Sequence, residues 1–185
     1  MSRTTDDAER ERRYRELYSA MYADLLRFVQ RRTAPGQAED VVAEALLVVW
    51  RRFDDAPDED GDARAWTFGI ARNILLNAQR GERRRVALGV RIADTAATAA
   101  EAEDDLTATR IDLARAWNRL SEVHQEALGL AVFEQLAAPQ AAAVLGISPV
   151  AFRLRLSRAR RALRLLLDHL PQPAGFPAGT GRNPS

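Results

Sequence analysis

The chain has 185 residues, 27 basic against 26 acidic, and no cysteine. That length holds one large domain or two small ones, and the absence of thiols excludes disulfides, thiolate metal sites and thiol chemistry. The longest purely apolar run, Ala45 to Trp50, is far too short to span a membrane, and the opening MSRTTDDAERERR is too charged for a secretory signal. A cytoplasmic protein with no membrane insertion is expected.

Every basic residue is arginine, which together with abundant alanine reflects codon usage rather than function. The net charge of +1 hides a segregation. Residues 33–62 hold nine acids against two arginines, and residues 63–91 hold seven arginines against one acid. Residues 92–112 turn acidic again, and residues 153–167 carry six arginines and no acid. Single charge runs are often only solvated faces. Two dense basic blocks on predicted helices point to two contact surfaces for a polyanion.

The apolar periodicity is helical almost throughout, and no stretch alternates as a strand, so the fold class expected is all-α. Leu17, Met21, Leu25, Phe28 and Val29 form a first stripe, broken by Ala34-Pro35-Gly36. Val41, Val42, Ala45, Leu46, Val49 and Trp50 form a second, ending at Phe53. Asp54 to Asp62 reads as a loop from its proline, glycine and charge. A third helix carries Trp66, Ile70, Ile74 and Leu75 and runs to about Arg84. These three would bury a small core around Phe28, Trp50 and Trp66. Residues 86–106, poor in apolar mass, are expected to form a flexible acidic linker. A second helical domain is expected over 107–168, with Leu113, Trp117 and Leu120, then 123–135, then a short helix at 139–145 and a long one from Pro149. Residues 169–185 are rich in proline and glycine and are expected to be disordered.

The stretch PQAAAVLGISPVAFRLRLSRARRAL has the form of a helix-turn-helix. Gly146 permits positive φ at the turn, Ser148 can cap the next helix, and Pro149 fits its first position. Phe152, Leu156, Ala159 and Leu163 fall on one inward face, leaving Arg153, Arg155, Arg158, Arg160 and Arg161 mostly outward. Such a helix can enter a major groove, early residues near base edges and later arginines near phosphates. A plain amphipathic hairpin with a basic outer face would share the stripe but not the turn chemistry.

QAEDVVAEALLVVWRRF followed by ARAWTFGIARNILLNAQRGERRR resembles the region 2 signature of sigma-70 family factors, and the whole is similar to the small extracytoplasmic-function (ECF) group, which keeps only regions 2 and 4. The resemblance covers about residues 13–85 and 110–167. It implies a region 2 domain over 10–85 and a region 4 domain over 107–168, binding core RNA polymerase and promoter DNA. Asp40 and Glu44 match acidic positions that in the family dock on the β′ clamp helices; region 4 would meet the β flap. Trp66, Arg72, Asn73, Asn77, Arg80, Arg83 and Arg84 fall in the segment that reads and melts the −10 element, and Asp54 to Arg64 corresponds to the loop that captures a flipped base. Arginines would track the phosphates while asparagines and loop backbone read bases. A tryptophan at a helix start, as Trp66 is, facing Ile70, is more often a core residue. Ser148, Arg153, Leu154, Arg155, Ser157, Arg158 and Arg161 would serve the −35 element. The linker acids Glu101, Glu103, Asp104 and Asp105 could thread through polymerase, mimicking nucleic-acid charge. An anti-sigma factor is an implied partner.

The chain departs from the family pattern in places. Its capture loop carries six acids, Ala43 replaces a common Gln, Asn77 stands where Asp is common, and Leu154 replaces a small polar residue. The acidic loop fails as a calcium site: with Gly61 at position 6, Ala56 and Thr67 fall where oxygen ligands are needed, Thr67 at the position of the bidentate Glu. No glycine-rich phosphate loop or Ser/His/Asp arrangement is present, and His124 and His169 make no ligand pair. No enzymatic activity, metal or cofactor is expected. The rival readings are a helix-turn-helix regulator acting without polymerase, and an adaptor whose arginine faces serve acidic partners.

Overall fold

The structure is a computed structural model that describes residues 2–33, 35–87 and 105–169. All regular elements among them are helical. In chain order they are α1 (Ser2–Gln30), α2 (Pro35–Arg51), a 3-10 turn (Phe53–Asp55), α3 (Asp60–Ala87), α4 (Asp105–Arg119), α5 (Glu122–Leu128), a π turn (Gly129–Phe133), α6 (Ala138–Leu145) and α7 (Pro149–Asp168). Most of the expected linker and residues 170–185 of the expected tail lie outside the described residues.

The first three helices form because each carries an apolar stripe that needs a partner. Met21, Leu25, Phe28 and Val29 of α1 meet Val41, Val42, Ala45, Leu46 and Val49 of α2, all buried. Phe68 and Ala71 of α3 close the bundle, with the Phe28 and Phe68 rings 5.2 Å apart. Burying side chains of this size contributes roughly 1.5–3 kcal/mol each. The core therefore centres on Phe28 and Phe68; Trp50 and Trp66 sit at its margin, half-buried. Pro35 opens α2, since a first-turn proline lacks only an N–H that would have no partner; the helix thus resumes inside the Ala34-Pro35-Gly36 break. α3 likewise begins at Asp60, inside the expected loop, with Asp60 and Asp62 favourably placed in its first turn.

The helix-turn-helix has the geometry its residues demand. Gly146 takes φ 65°, and the N–H of Ile147 returns to the Ala142 carbonyl at 3.0 Å. Ser148 Oγ accepts the N–H of Ala151 at 3.1 Å, and Pro149 opens α7. Phe152 and Ala159 are buried, with Leu156 and Leu163 half-buried beside them. Upstream, α5 runs into the π turn, where Glu134 N–H reaches back to the Gly129 carbonyl at 3.1 Å and Gln135 adopts φ 53°.

The N-terminal and C-terminal helices share one core. α6 lies along α3, and Ala141, Ala142, Val144 and Phe152 belong to the same buried cluster as Phe28 and Phe68. A Cβ on Gly69 of α3 would stand 4.0 Å from the Cα of Val144. Polar ties reinforce the seam. Arg31 pairs with Glu134, and Arg64 donates to the Glu134 carbonyl and, at 2.8 Å, to Asp24. Arg72 pairs with Glu126.

Candidate nucleic-acid interface

The arginine face of α7 is open. Arg153, Leu154, Ser157, Arg158 and Arg161 are exposed, as are Arg160 and Arg164, while Arg155 is half-buried. Leu154 is 52 % exposed and Val150 70 % exposed, so this face is apolar as well as cationic near its start. The exposed residues project from one side because Phe152 and Ala159 fix the opposite side in the core. Ser148 is committed to capping α7, which holds the helix start in place.

α3 divides its residues between two surfaces. Asn73, Asn77 and Arg80 are exposed along one outer face, with Arg80 Nη1 donating to Asn77 Oδ1 at 3.3 Å. Arg83 and Arg84 continue in the same helix, their side chains outside the described residues. Arg72 is not with them. It turns toward the C-terminal helices, where Nε and Nη2 donate to the two carboxylate oxygens of Glu126 at 2.5 and 3.1 Å. Trp66 packs against the core and is only partly accessible.

Asp40 and Glu44 are exposed, four residues apart on one face of α2. Beside Asp40 lies a groove between α1 and α2 lined by Tyr14, Tyr18, Tyr22, Leu47 and Trp50. Tyr18 and Tyr22 stack with ring centroids 5.6 Å apart, and both are exposed, as is Leu47. Sequence reasoning missed these three. Their signal was large apolar or aromatic residues placed off the core stripes of their own helices.

The seam between the two halves is electrostatically unusual. Burial pushes Glu134 above the usual carboxylate range despite Arg31, Arg32 and Arg64 around it. Arg32 is lowered to about 10, chiefly by burial, so it stays charged at neutral pH. Its guanidinium covers the Phe28 ring at 3.9 Å and donates to the Phe28 carbonyl at 2.7 Å. No cluster able to hold a metal ion and no helix long and apolar enough to cross a membrane occurs among the described residues.

A helical bundle with outward asparagines and arginines, joined to a helix-turn-helix with a cationic face, defines the class: a DNA-binding transcription protein. Comparison with known proteins sharpens this. Residues 17–85 match sigma-70 region 2 and residues 110–163 match sigma-70 region 4. The ECF RNA polymerase sigma factor SigL of Mycobacterium tuberculosis is 34 % identical over 160 residues, covering 84 % of this chain and 89 % of SigL. RNA polymerase sigma factor CnrH of Cupriavidus metallidurans is 32 % identical over 140 residues, covering 70 % of this chain and 73 % of CnrH. Among solved structures, the sigma factor RpoE of Bartonella quintana, in complex with the anti-sigma factor NepR, superposes with TM-score 0.66 at 28 % identity over 84 % of this chain and 97 % of that one. CnrH in complex with the cytosolic domain of CnrY gives TM-score 0.58 at 26 % identity over 85 % and 89 %. The chain belongs to the ECF group of the sigma-70 family. A regulator acting without polymerase is not favoured by these matches.

Proposed function

We propose that this ECF sigma factor divides promoter recognition among three surfaces. The exposed face of α2 with Asp40 and Glu44, extended by Tyr18, Tyr22 and Leu47, docks on the β′ clamp helices of core RNA polymerase in the cytoplasm. α3 opens the −10 element through Asn73, Asn77, Arg80, Arg83 and Arg84, with Arg72 joining once it leaves Glu126, and the loop before it receives a flipped base. α7 reads the −35 element with Arg153, Leu154, Ser157 and Arg158, while Arg155 and Arg161 hold phosphates. The β flap receives the C-terminal helices.

The observation that carries this reading is the bare cationic face of α7 behind the Gly146–Ser148 turn. Its geometry suits a major groove. Promoter contacts also require the chain to open. The two elements lie about 25 base pairs apart, about 85 Å at 3.4 Å per pair, whereas α3 and α6 are in contact here. The residues between Ala87 and Asp105 span roughly 60 Å when fully extended, and the lengths of α3 and α4 on either side make up the remaining reach, so the halves can part around polymerase; the linker acids suit a nucleic-acid channel. An anti-sigma partner is proposed because RpoE, whose structure this chain resembles, is bound to the anti-sigma factor NepR.

Run-off transcription with purified core polymerase and a genomic fragment library tests the reading. Core-dependent initiation from a discrete set of fragments is expected. No initiation from any fragment, with folded protein and active core, would overturn it.

A further inference from the structure

The loop ahead of α3 poses an electrostatic problem. Asp54, Asp55, Asp58 and Glu59 crowd into it, and Asp60 and Asp62 follow at once in the first turn of α3. Under the reading above this loop must accept a freed DNA strand, and lone carboxylates would repel its phosphates.

The structure supplies a counter-charge to most of them. Arg10 of α1 donates from Nε to Asp54 Oδ1 at 2.8 Å and from Nη2 to the Trp50 carbonyl at 2.7 Å, with its guanidinium 4.1 Å over the Trp50 ring. Arg13, one turn on, donates to Asp58 Oδ1 at 3.2 Å and lies 5.9 Å from the Phe53 ring. Arg52 donates to Asp55 at 3.1 Å. Asp60 and Asp62 face the positive end of α3, and Asp62 also accepts from Gln140 at 3.3 Å. Of these partners Arg10 is the best held. Its side chain is 27 % exposed and fixed at three points, whereas Arg13 and Asp58 are 48 % and 94 % exposed. Both α1 arginines lie before residue 17, where the match to region 2 begins. The counter-charges of Asp54 and Asp58 therefore come from outside the stretch that carries the family signature.

We propose that Arg10, supported by Arg13, is a positioning residue for strand capture: it neutralises and orients the carboxylates at the loop entrance so that a DNA phosphate can approach. The proposal rests on the reading of the 54–64 loop as the base-capturing element. An arginine–carboxylate pair presents only a dipole to a neighbouring phosphate, where an isolated carboxylate presents a full charge. The two partners then have opposite effects. Losing Arg10 bares Asp54, whose side chain is 80 % exposed. Losing the Asp54 charge leaves Arg10 still anchored by the Trp50 carbonyl and ring. A purely structural tie would make both losses harmful alike.

The test uses holoenzyme on the strongest promoter recovered by run-off transcription, with permanganate reactivity of unpaired thymines reporting strand opening. Arg10→Gln should lower open-complex formation roughly fivefold, the size of one unscreened charge near 4 Å in water, with core binding unchanged and the defect shrinking as salt rises. Asp54→Asn should equal or exceed the natural protein, and the double variant should recover. An Arg10→Gln variant that opens DNA normally, or a double variant as defective as Arg10→Gln alone, overturns the proposal. A photo-crosslinking residue at Glu59 separates it from its premise. Without a crosslink to the non-template strand, the loop reading and this proposal both fail. With a crosslink but normal opening by Arg10→Gln, only the counter-charge role fails.

Discussion

Arg72 and Glu126 meet side-on, Nε to Oε1 and Nη2 to Oε2, across the seam between α3 and α5. This bidentate pairing is the strongest geometry available to a guanidinium and a carboxylate. It occupies an arginine of the segment that resembles the −10 reader, so a DNA phosphate must displace Glu126 to reach it.

Glu126→Gln removes the charge but keeps the shape. Both side chains are only 20 % exposed, so the loss should cost about 1.5–3 kcal/mol, the range for hydrogen bonds to charged groups. Urea denaturation of the free protein reads it. Arg72→Gln should cost a similar amount, and the double variant little more than either. Additive losses would show that the pair is not coupled.

Glu134 should leave a signature in the pH dependence of stability. Burial raises its pKa above the ordinary 4.5, so the folded state binds this proton more tightly than the unfolded chain. Stability then falls as pH rises from 4.5 through the folded value, and levels off above it. Compared by urea titration from pH 4.5 to 7, the natural protein should lose stability relative to Glu134→Gln as pH rises. A difference that stays flat, or grows in the opposite sense, contradicts this.

Phe152→Ala tests the shared core. Removing a buried phenylalanine should cost about 3–5 kcal/mol. Because Phe152 belongs to the cluster that also holds Phe28 and Phe68, the natural protein should unfold in one thermal transition monitored by any tryptophan. Separate transitions for Trp50 or Trp66 and for Trp117 would show that the halves do not cohere.

Ser148 and Arg161 should fail in different assays. Ser148→Ala removes the α7 cap and should lower stability by about 1 kcal/mol, leaving the salt dependence of holoenzyme binding to promoter DNA unchanged. Arg161→Ala should leave stability intact and reduce the log–log salt slope by about 1. Leu154→Ala should relax sequence preference at the −35 element with the slope unchanged.

The helix-turn-helix was legible in the sequence because its determinants are local. Gly146 sets a positive φ, Ser148 caps, and Phe152 and Ala159 face inward at helical spacing. α3 was legible as a helix but not in its burial. It packs on α1 and α2 on one side and on α6 on the other, so Ala65, Thr67, Phe68, Ile70 and Ala71 are all buried and no single stripe marks the core. Phe68, its central residue, therefore passed unremarked beside the larger Trp66. Glu134 passed unremarked because its partners Arg31 and Arg64 are remote in sequence. The π turn left only Gly129 as a trace; a Cβ there would come within 2.9 Å of Arg32 Nη2. The crowding of acids before α3 was plain from the sequence, whereas their arginine partners on α1 emerge only in three dimensions.

The seam where α6 beds against α3 is greasy on both sides: Phe68 and Ala71 on one, Ala141, Ala142 and Val144 on the other. Prising it apart in plain buffer wets all of that surface at once, and the splayed chain becomes sticky. If the chain opens as proposed, the spread form must be lodged as it forms, each half settling on its host before the other lets go.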